Sequence, residues 1–294
     1  MKTKSQDDDD DAELNKEKVL HVKGEFQTHG QYHFHMETQI CLCVPTEDGM
    51  IVHSATQWMD IVQAAVASCL NIPNNSVSVE VRRVGGAFGA KSTRQCLIAA
   101  ACAVAAHRTH KPVRVALDLE TNMQMIGKRH PYLVRYEAKV NEAGKILALK
   151  SNIYCDAGSS LNEPDSLYAM VCSQSCYQAN NWNITPGVAL TNTASNTFCR
   201  APGSSQGVAI IEHIMEHIAY TVQKDPLEVR QLNLIHKGDP FIGVPGAKLP
   251  LDNFLPGMII DLKTNADLDA RRKYVNVFNE VRIKNEFLFR SYYL

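Results

Sequence analysis

A chain of 294 residues with 45% apolar and 21% charged side chains is too short for most multi-cofactor enzymes, and its composition excludes a disordered chain, a collagen or a coiled coil. Thirty basic and 31 acidic residues leave a net charge of −1, which gives no electrostatic case for nucleic acid. The longest uncharged apolar run, Cys96 to Ala106, falls well short of the roughly 18–20 residues that span a bilayer, and no apolar leader opens the chain, so a cytoplasmic protein without a membrane partner is expected.

The first segment is charged throughout. Residues 1–18 hold four Lys and seven acids, net −3, which leaves +2 on the remainder. The run Asp7 to Asp11 reads as a solvated tail, and residues 1–20 are assigned as an acidic disordered segment. From Gly24 to Val44 residue types alternate. Gln31, His33, His35 and Glu37 share one face and Tyr32, Phe34 and Met36 the other, the period of a half-buried strand whose polar face meets solvent. Met50 to His53 is a second strand, and Asp60 to Leu70 has helical apolar spacing before the turn residues Asn71 to Asn75.

Val77 to Val84 is β-rich and runs into Gly85-Gly-Ala-Phe-Gly-Ala-Lys-Ser92, after which Thr93 to Ala106 reads as a buried helix. Val113 to Leu117 is a strand. Tyr132 to Val140 and Ile146 to Tyr154 form a hairpin through Asn141 to Gly144. Residues 155–207 are rich in Asn, Ser, Gly and Pro and are expected to be irregular, a long surface that serves function. Val208 to Val222 carries an Ile stripe on one helical face, and Asp225-Pro226 starts a further helix with Asp225 as its cap. Strands mixed with strand–helix units, and no internal repeat, indicate an α+β or mixed α/β architecture.

Nine cysteines lie at 41, 43, 69, 96, 102, 155, 172, 176 and 199, with no C-x-x-C among them. Zinc ribbons, thioredoxin motifs and clustered iron–sulfur ligands are therefore unsupported, and the thiols read as reduced, several of them buried.

Four groups of residues could carry chemistry. The turn at 85–92 joins a strand to a helix through small residues and offers backbone N–H groups to an anion. It nearly fits a phosphate-binding P-loop, but Ala90 stands where the second glycine belongs. A structural turn and an anion loop both remain open. His213, Glu216 and His217 match H-x-x-E-H, a zinc hydrolase pattern, although a His pair flanking a buried Ile stripe accounts for them more simply. His33, His35 and Glu37 could form a metal face, or only the solvated face of a strand. Thr197-Phe-Cys-Arg-Ala-Pro-Gly203, ahead of a helix, is a second anion-friendly junction around Arg200.

Taken together, Gln31 to Glu37, Thr56-Gln57, Gly85 to Lys91, Gly127-Lys-Arg-His-Pro131, Asp156-Ala-Gly158 and Asn196 to Gly203 occur in an order and spacing that resembles the molybdenum hydroxylases, the family of xanthine dehydrogenase and aldehyde oxidase. The resemblance spans roughly residues 21–280 and implies the first part of a molybdopterin-binding domain, incomplete on its C-terminal side, with residues 281–294 diverging. It implies a molybdenum–molybdopterin cofactor held near Gln57, Gly86, Phe88, Gly89 and Arg200. Gln57 would stand near the metal's oxo or sulfido ligand, Phe88 would approach metal and pterin, and Arg200 would lie across from them. The activity implied is hydroxylation of a carbon next to oxygen or nitrogen with water-derived oxygen, on an aldehyde or N-heterocycle. Electrons would then pass through two [2Fe-2S] clusters and FAD in a full-length, homodimeric parent.

The same resemblance bears on substrate. Ser92 stands where xanthine enzymes place a purine-holding glutamate, Tyr168 where they place an orienting arginine, and Pro202 where they place a stacking phenylalanine. A pocket without those partners suits an aldehyde better than a purine, as in insect aldehyde oxidases. The family's Gly-x-Gly-Glu catalytic base is not found in these residues. The chain is therefore expected to be an inactive piece needing the remainder of its parent, with a cofactor-free binding module as the alternative reading, and a xanthine dehydrogenase or zinc hydrolase behind it.

Overall fold

Two four-stranded sheets, each backed by helices, make up the computed structural model, which describes residues 18–281 except 245. The assigned tail and the divergent end lie, but for their boundary residues, outside the described residues. In chain order the strands are β1 Leu20–Thr28, β2 Ile40–Pro45, β3 Met50–Ser54, β4 Val77–Glu80, β5 Val113–Ala116, β6 Tyr132–Val140, β7 Ile146–Gly158 and β8 Trp182–Leu190. The helices are α1 Met59–Leu70, α2 Gln95–Thr109, α3 Leu119–Met125, α4 Ser166–Cys172, α5 Ser204–Val222, α6 Pro226–Leu232, α7 Leu255–Asn265 and α8 Leu268–Val281. The mixed α/β expectation holds.

The smaller sheet has the order β4-β3-β2-β5, with β3 and β4 parallel. Cys41 and Cys43, two residues apart on β2, share the face that packs on Val62 and Val66 of α1 and on Ile98, Ala99 and Cys102 of α2. The larger sheet has the order β1-β6-β7-β8, antiparallel except where β7 meets β8. Its inner face, including Val134, Leu149 and Ile153, receives Ile210, Ile211, Ile214 and Ile218 of α5. Each such Ile contributes about 1.5–3 kcal/mol over an exposed one, so the Ile stripe fixes which way α5 faces. Asp225 caps α6, accepting from Leu227 N at 2.8 Å, as its position before Pro226 predicts.

Two expectations need correction. Residues 155–207 are not irregular throughout: β7 runs on to Gly158, and α4 and β8 lie inside the segment. The alternating segment 31–37 is not a strand. Its faces are also reversed, since His33 and His35 are buried at 1% and 2% exposure while Phe34 and Met36 stand out at 66% and 96%. The imidazoles are drawn inward because each finds a backbone carbonyl there, His33 at Phe198 O and His35 at Glu37 O, and Phe34 turns through positive φ (51°) to allow it.

Candidate functional site

The loop between β4 and α2 is held by an ion pair. Lys91, fully buried, places Nζ 2.6 Å from Glu37 Oε2. The Gly85 amide donates to the same oxygen at 3.0 Å, and Glu37 N donates back to Gly85 O at 3.0 Å. Burial by itself would raise the Glu37 carboxyl, but the Lys91 and Gly85 hydrogen bonds hold it below the usual carboxylate value. Lys91 is thus committed to holding the loop and is not free for a phosphate, which removes the P-loop reading. On the far side of the turn, Gln57 Oε1 accepts from the amides of Gly89 at 2.9 Å and Lys91 at 3.4 Å, while Gln57 N donates to Lys91 O at 2.9 Å. With its oxygen so used, the exposed Gln57 amide keeps its NH₂ donors for something outside the loop.

The loop before α5 closes on the first one. Arg200 N donates to Phe88 O at 3.0 Å, and the Arg200 guanidinium sits 4.5 Å over the Phe88 ring. Arg200 Nη2 also donates to His33 O at 3.1 Å, and the His33 imidazole bonds Phe198 O at 2.6 Å. Gly89 is required where the loops touch: at φ +101°, a Cβ there would fall 2.3 Å from Phe198 O. Phe88, Arg200 and Ala201 all take positive φ, a concentration of strained backbone that surrounding contacts must maintain. Glu163 braces the outer side, accepting from Thr197 Oγ1 at 2.7 Å.

The structure therefore brings Gln57, Gly86, Phe88, Gly89 and Arg200 into one constellation, from three separated stretches of chain. Of the other expected site residues, Ser92 lies in the same turn, with its amide on Gly89 O at 3.1 Å. Tyr168, 60% exposed on α4, stands beside the Pro202-Gly203 turn, where a Cβ on Gly203 would meet Tyr168 Cβ at 2.6 Å. His213, Glu216 and His217 are not assembled as a metal site. His213 stacks on Phe26 at 4.7 Å, His217 bonds the Tyr136 hydroxyl at 2.8 Å, and Glu216 pairs with Arg230 at 2.9 Å. They line an open groove of about 450 Å³ away from the loops. Sequence reasoning missed the Glu37–Lys91 pair and the structural part of His33. An unexpected Lys inside a small-residue turn was the available signal for the first.

The constellation suits an anionic cofactor. Its available groups are the NH₂ of Gln57, an Arg200 guanidinium and an exposed Phe88 ring, while its carboxylates are turned into internal hydrogen bonds. A model of the family described as the molybdopterin cofactor-binding domain matches residues 2–234. The chain is 36% identical over 265 residues to aldehyde oxidase 4 of Arabidopsis thaliana, covering 88% of this chain and 20% of that protein. It is 34% identical over 264 residues to the xanthine dehydrogenase/oxidase of Felis catus, with the same two coverages. Among solved structures, the aldehyde oxidoreductase from Desulfovibrio gigas superposes with a TM-score of 0.74 at 25% identity, over 86% of this chain and 28% of that one. The chain thus spans about a fifth of the length of the curated relatives it matches.

Proposed function

The chain belongs to the molybdopterin cofactor-binding domain family, and from that premise we propose that Gln57, Gly86, Phe88, Gly89 and Arg200 form one wall of a molybdenum hydroxylase centre of aldehyde oxidase type. The observation that carries this is the closure of the two loops, with Gln57 on Gly89 N and Phe88 O on Arg200 N. It holds a free amide, an aromatic ring and a cation in fixed relation. When bound, molybdenum–molybdopterin supplies two-electron oxidation of an aldehyde, or of an N-heterocycle carbon, with oxygen taken from water. The residues of this chain bind and orient: Gln57 and Arg200 offer hydrogen bonds to an anionic group, and Gly86 and Gly89 let the loop pack against His35 and Phe198 so that Phe88 is presented beside them. Ser92 brings no carboxylate, Tyr168 no guanidinium and Pro202 no phenyl ring, which favours aldehydes over purines.

Of the carboxylates at this wall, Glu37 is paired with Lys91, and Glu163 is turned inward with Oε2 accepting from Thr197 Oγ1 and the Phe198 amide. Since a general base contributes about 10² to 10⁴-fold, catalysis is assigned to a larger assembly in which [2Fe-2S] clusters and FAD carry electrons onward and two copies pair. In such an assembly this chain's partner is the remainder of the enzyme.

The test is cofactor retention. Expressed where the cofactor is made, the chain is expected to carry molybdenum and pterin through purification, and Gln57→Ala and Arg200→Ala each to reduce that content by about tenfold. Absence of molybdenum from the unsubstituted chain would leave the cofactor-free binding module as the better reading. A separate assay follows dye reduction with benzaldehyde. None is expected from this chain alone. In an assembly that turns over, aldehyde should exceed xanthine in kcat/KM, and equal rates would show that Ser92 and Tyr168 have been misassigned.

A further inference from the structure

Ahead of β6, near the end of β7 and at the start of α4, three side chains meet that the two loops do not use. His130, Cys155 and Asp165 each offer a ligand atom within 4.8 Å of the others, and all three are buried to 1% exposure or less. Their hydrogen bonding is incomplete. His130 Nε2 lies 3.3 Å from Asn162 O and donates to it, which turns Nδ1 toward Asp165. That Nδ1 lies 3.3 Å from Asp165 Oδ1 yet makes no hydrogen bond, and Asp165 Oδ2 has no partner at all. Oδ1 already receives the Tyr132 hydroxyl at 2.5 Å and the Cys155 thiol at 3.5 Å. A buried imidazole nitrogen and a buried carboxylate oxygen, both without hydrogen bonds and side by side, are groups that a cation between them would satisfy.

We propose that His130, Cys155 and Asp165 bind a divalent transition-metal ion, with zinc the natural occupant. Imidazole nitrogen, thiolate sulfur and carboxylate oxygen are the donors zinc takes. Charge decides in favour of a divalent ion. One thiolate and one carboxylate cancel it, so the assembly is neutral, as a water-free site requires. Binding releases the Cys155 thiol proton to solvent and changes no oxidation state. A His whose other ring nitrogen donates to a main-chain carbonyl is oriented as metal-bound imidazoles are.

The other thiol cluster, Cys41, Cys43 and Cys102, lacks these marks. Its sulfurs already donate to carbonyls, Cys102 to Val113 O at 3.0 Å and Cys43 to Ala99 O at 3.9 Å, and three thiolates around a divalent ion would leave a net buried charge. An ion at His130 would also brace the working face. Asn162 donates to Asn196 O at 3.1 Å and accepts from Thr93 at 3.0 Å, while Asp165 starts the helix that carries Tyr168.

The test uses the full chain purified without a metal-binding tag. It is expected to keep about one equivalent of zinc through dialysis, and to lose it to a strong chelator with a fall in Tm that added zinc reverses. His130→Gln and Asp165→Asn should weaken retention by about tenfold or more, whereas Cys102→Ala should leave it unchanged. Cobalt put in place of zinc should show a sulfur-to-cobalt charge-transfer band that Cys155→Ser removes. Should a variant fail to fold, the cobalt spectrum of the unsubstituted chain decides, since one thiolate and three give different band intensities. A chain that takes up no zinc in micromolar excess and whose Tm ignores it would overturn the proposal. Zinc lost with Cys102→Ala, or kept in Cys155→Ser and Asp165→Asn alike, would overturn it equally.

Discussion

His33 shows how one side chain can tie the working loops to the protonation state of the protein. Burial pushes its imidazole down from 6.5 to about 4, against the opposing pull of the Phe198 carbonyl. The unfolded chain therefore binds this proton more readily than the folded one between those values. The stability contributed by neutral His33 is fully present above pH 6.5 and is lost as pH falls toward 4. A shift of that size corresponds to about 3 kcal/mol at most. His35, also pushed down by burial, acts in the same direction. Urea midpoints measured between pH 7 and 5 should fall less steeply in His33→Gln, whose amide can still donate to Phe198 O. Parallel pH profiles for the two proteins would show that His33 does not govern the window.

Helix α4 is positioned by backbone contact with α5. Gly207 sits in α5 where a Cβ would come 2.5 Å from Ala169 O and 2.9 Å from Cys172 Cβ. Gly257, in α7, has nothing within 4 Å. By helix propensity alone both Gly→Ala changes stabilise, by about 0.5–1 kcal/mol. The structure separates them: Gly257→Ala should gain that amount, and Gly207→Ala should lose about 1–3 kcal/mol as α4 is pushed off. Denaturant melts of the two variants check this, and equal signs would mean the α4–α5 contact yields freely.

The same pair of helices marks what could be read from residue order. α5, α1 and the β6–β7 hairpin were legible because their apolar period, or a turn signal, repeats over many residues. α4 was not, having only seven residues, too few for a period to emerge. β8 was hidden by Pro186 and Gly187, which an edge strand tolerates and a central one does not. The segment 31–37 shows a true period of two, but its buried imidazoles answer to single carbonyls, Phe198 O in another loop and Glu37 O two residues on, and alternation alone cannot say which face turns inward. That Gln57, Phe88 and Arg200 would come together was legible only through several linked motifs. That Lys91 would be buried against Glu37 depends on a contact 54 residues apart, which no local pattern encodes.

Across the whole molecule, apolar side chains exposed on segments next to the working loops predict how the chain behaves in solution. Phe34 and Met36 flank buried His35, Phe88 lies under Arg200, and Leu161, Leu167 and Tyr168 extend along the segment that Glu163 braces, all of them between 46% and 96% exposed. Phe34 and Met36 cannot turn inward without breaking the His33 and His35 contacts beside them. Scattered surface hydrophobes are ordinary, but a concentration beside a binding face marks a surface that is normally covered. The chain by itself should associate with rising concentration, and sedimentation velocity should show its mean mass climbing above 32.7 kDa in the micromolar range. Phe34→Ser with Met36→Ser should reduce that association while leaving Tm nearly unchanged, since neither side chain is buried. A monodisperse monomer at every concentration, or a double variant that associates as the parent does, would show that this face needs no cover.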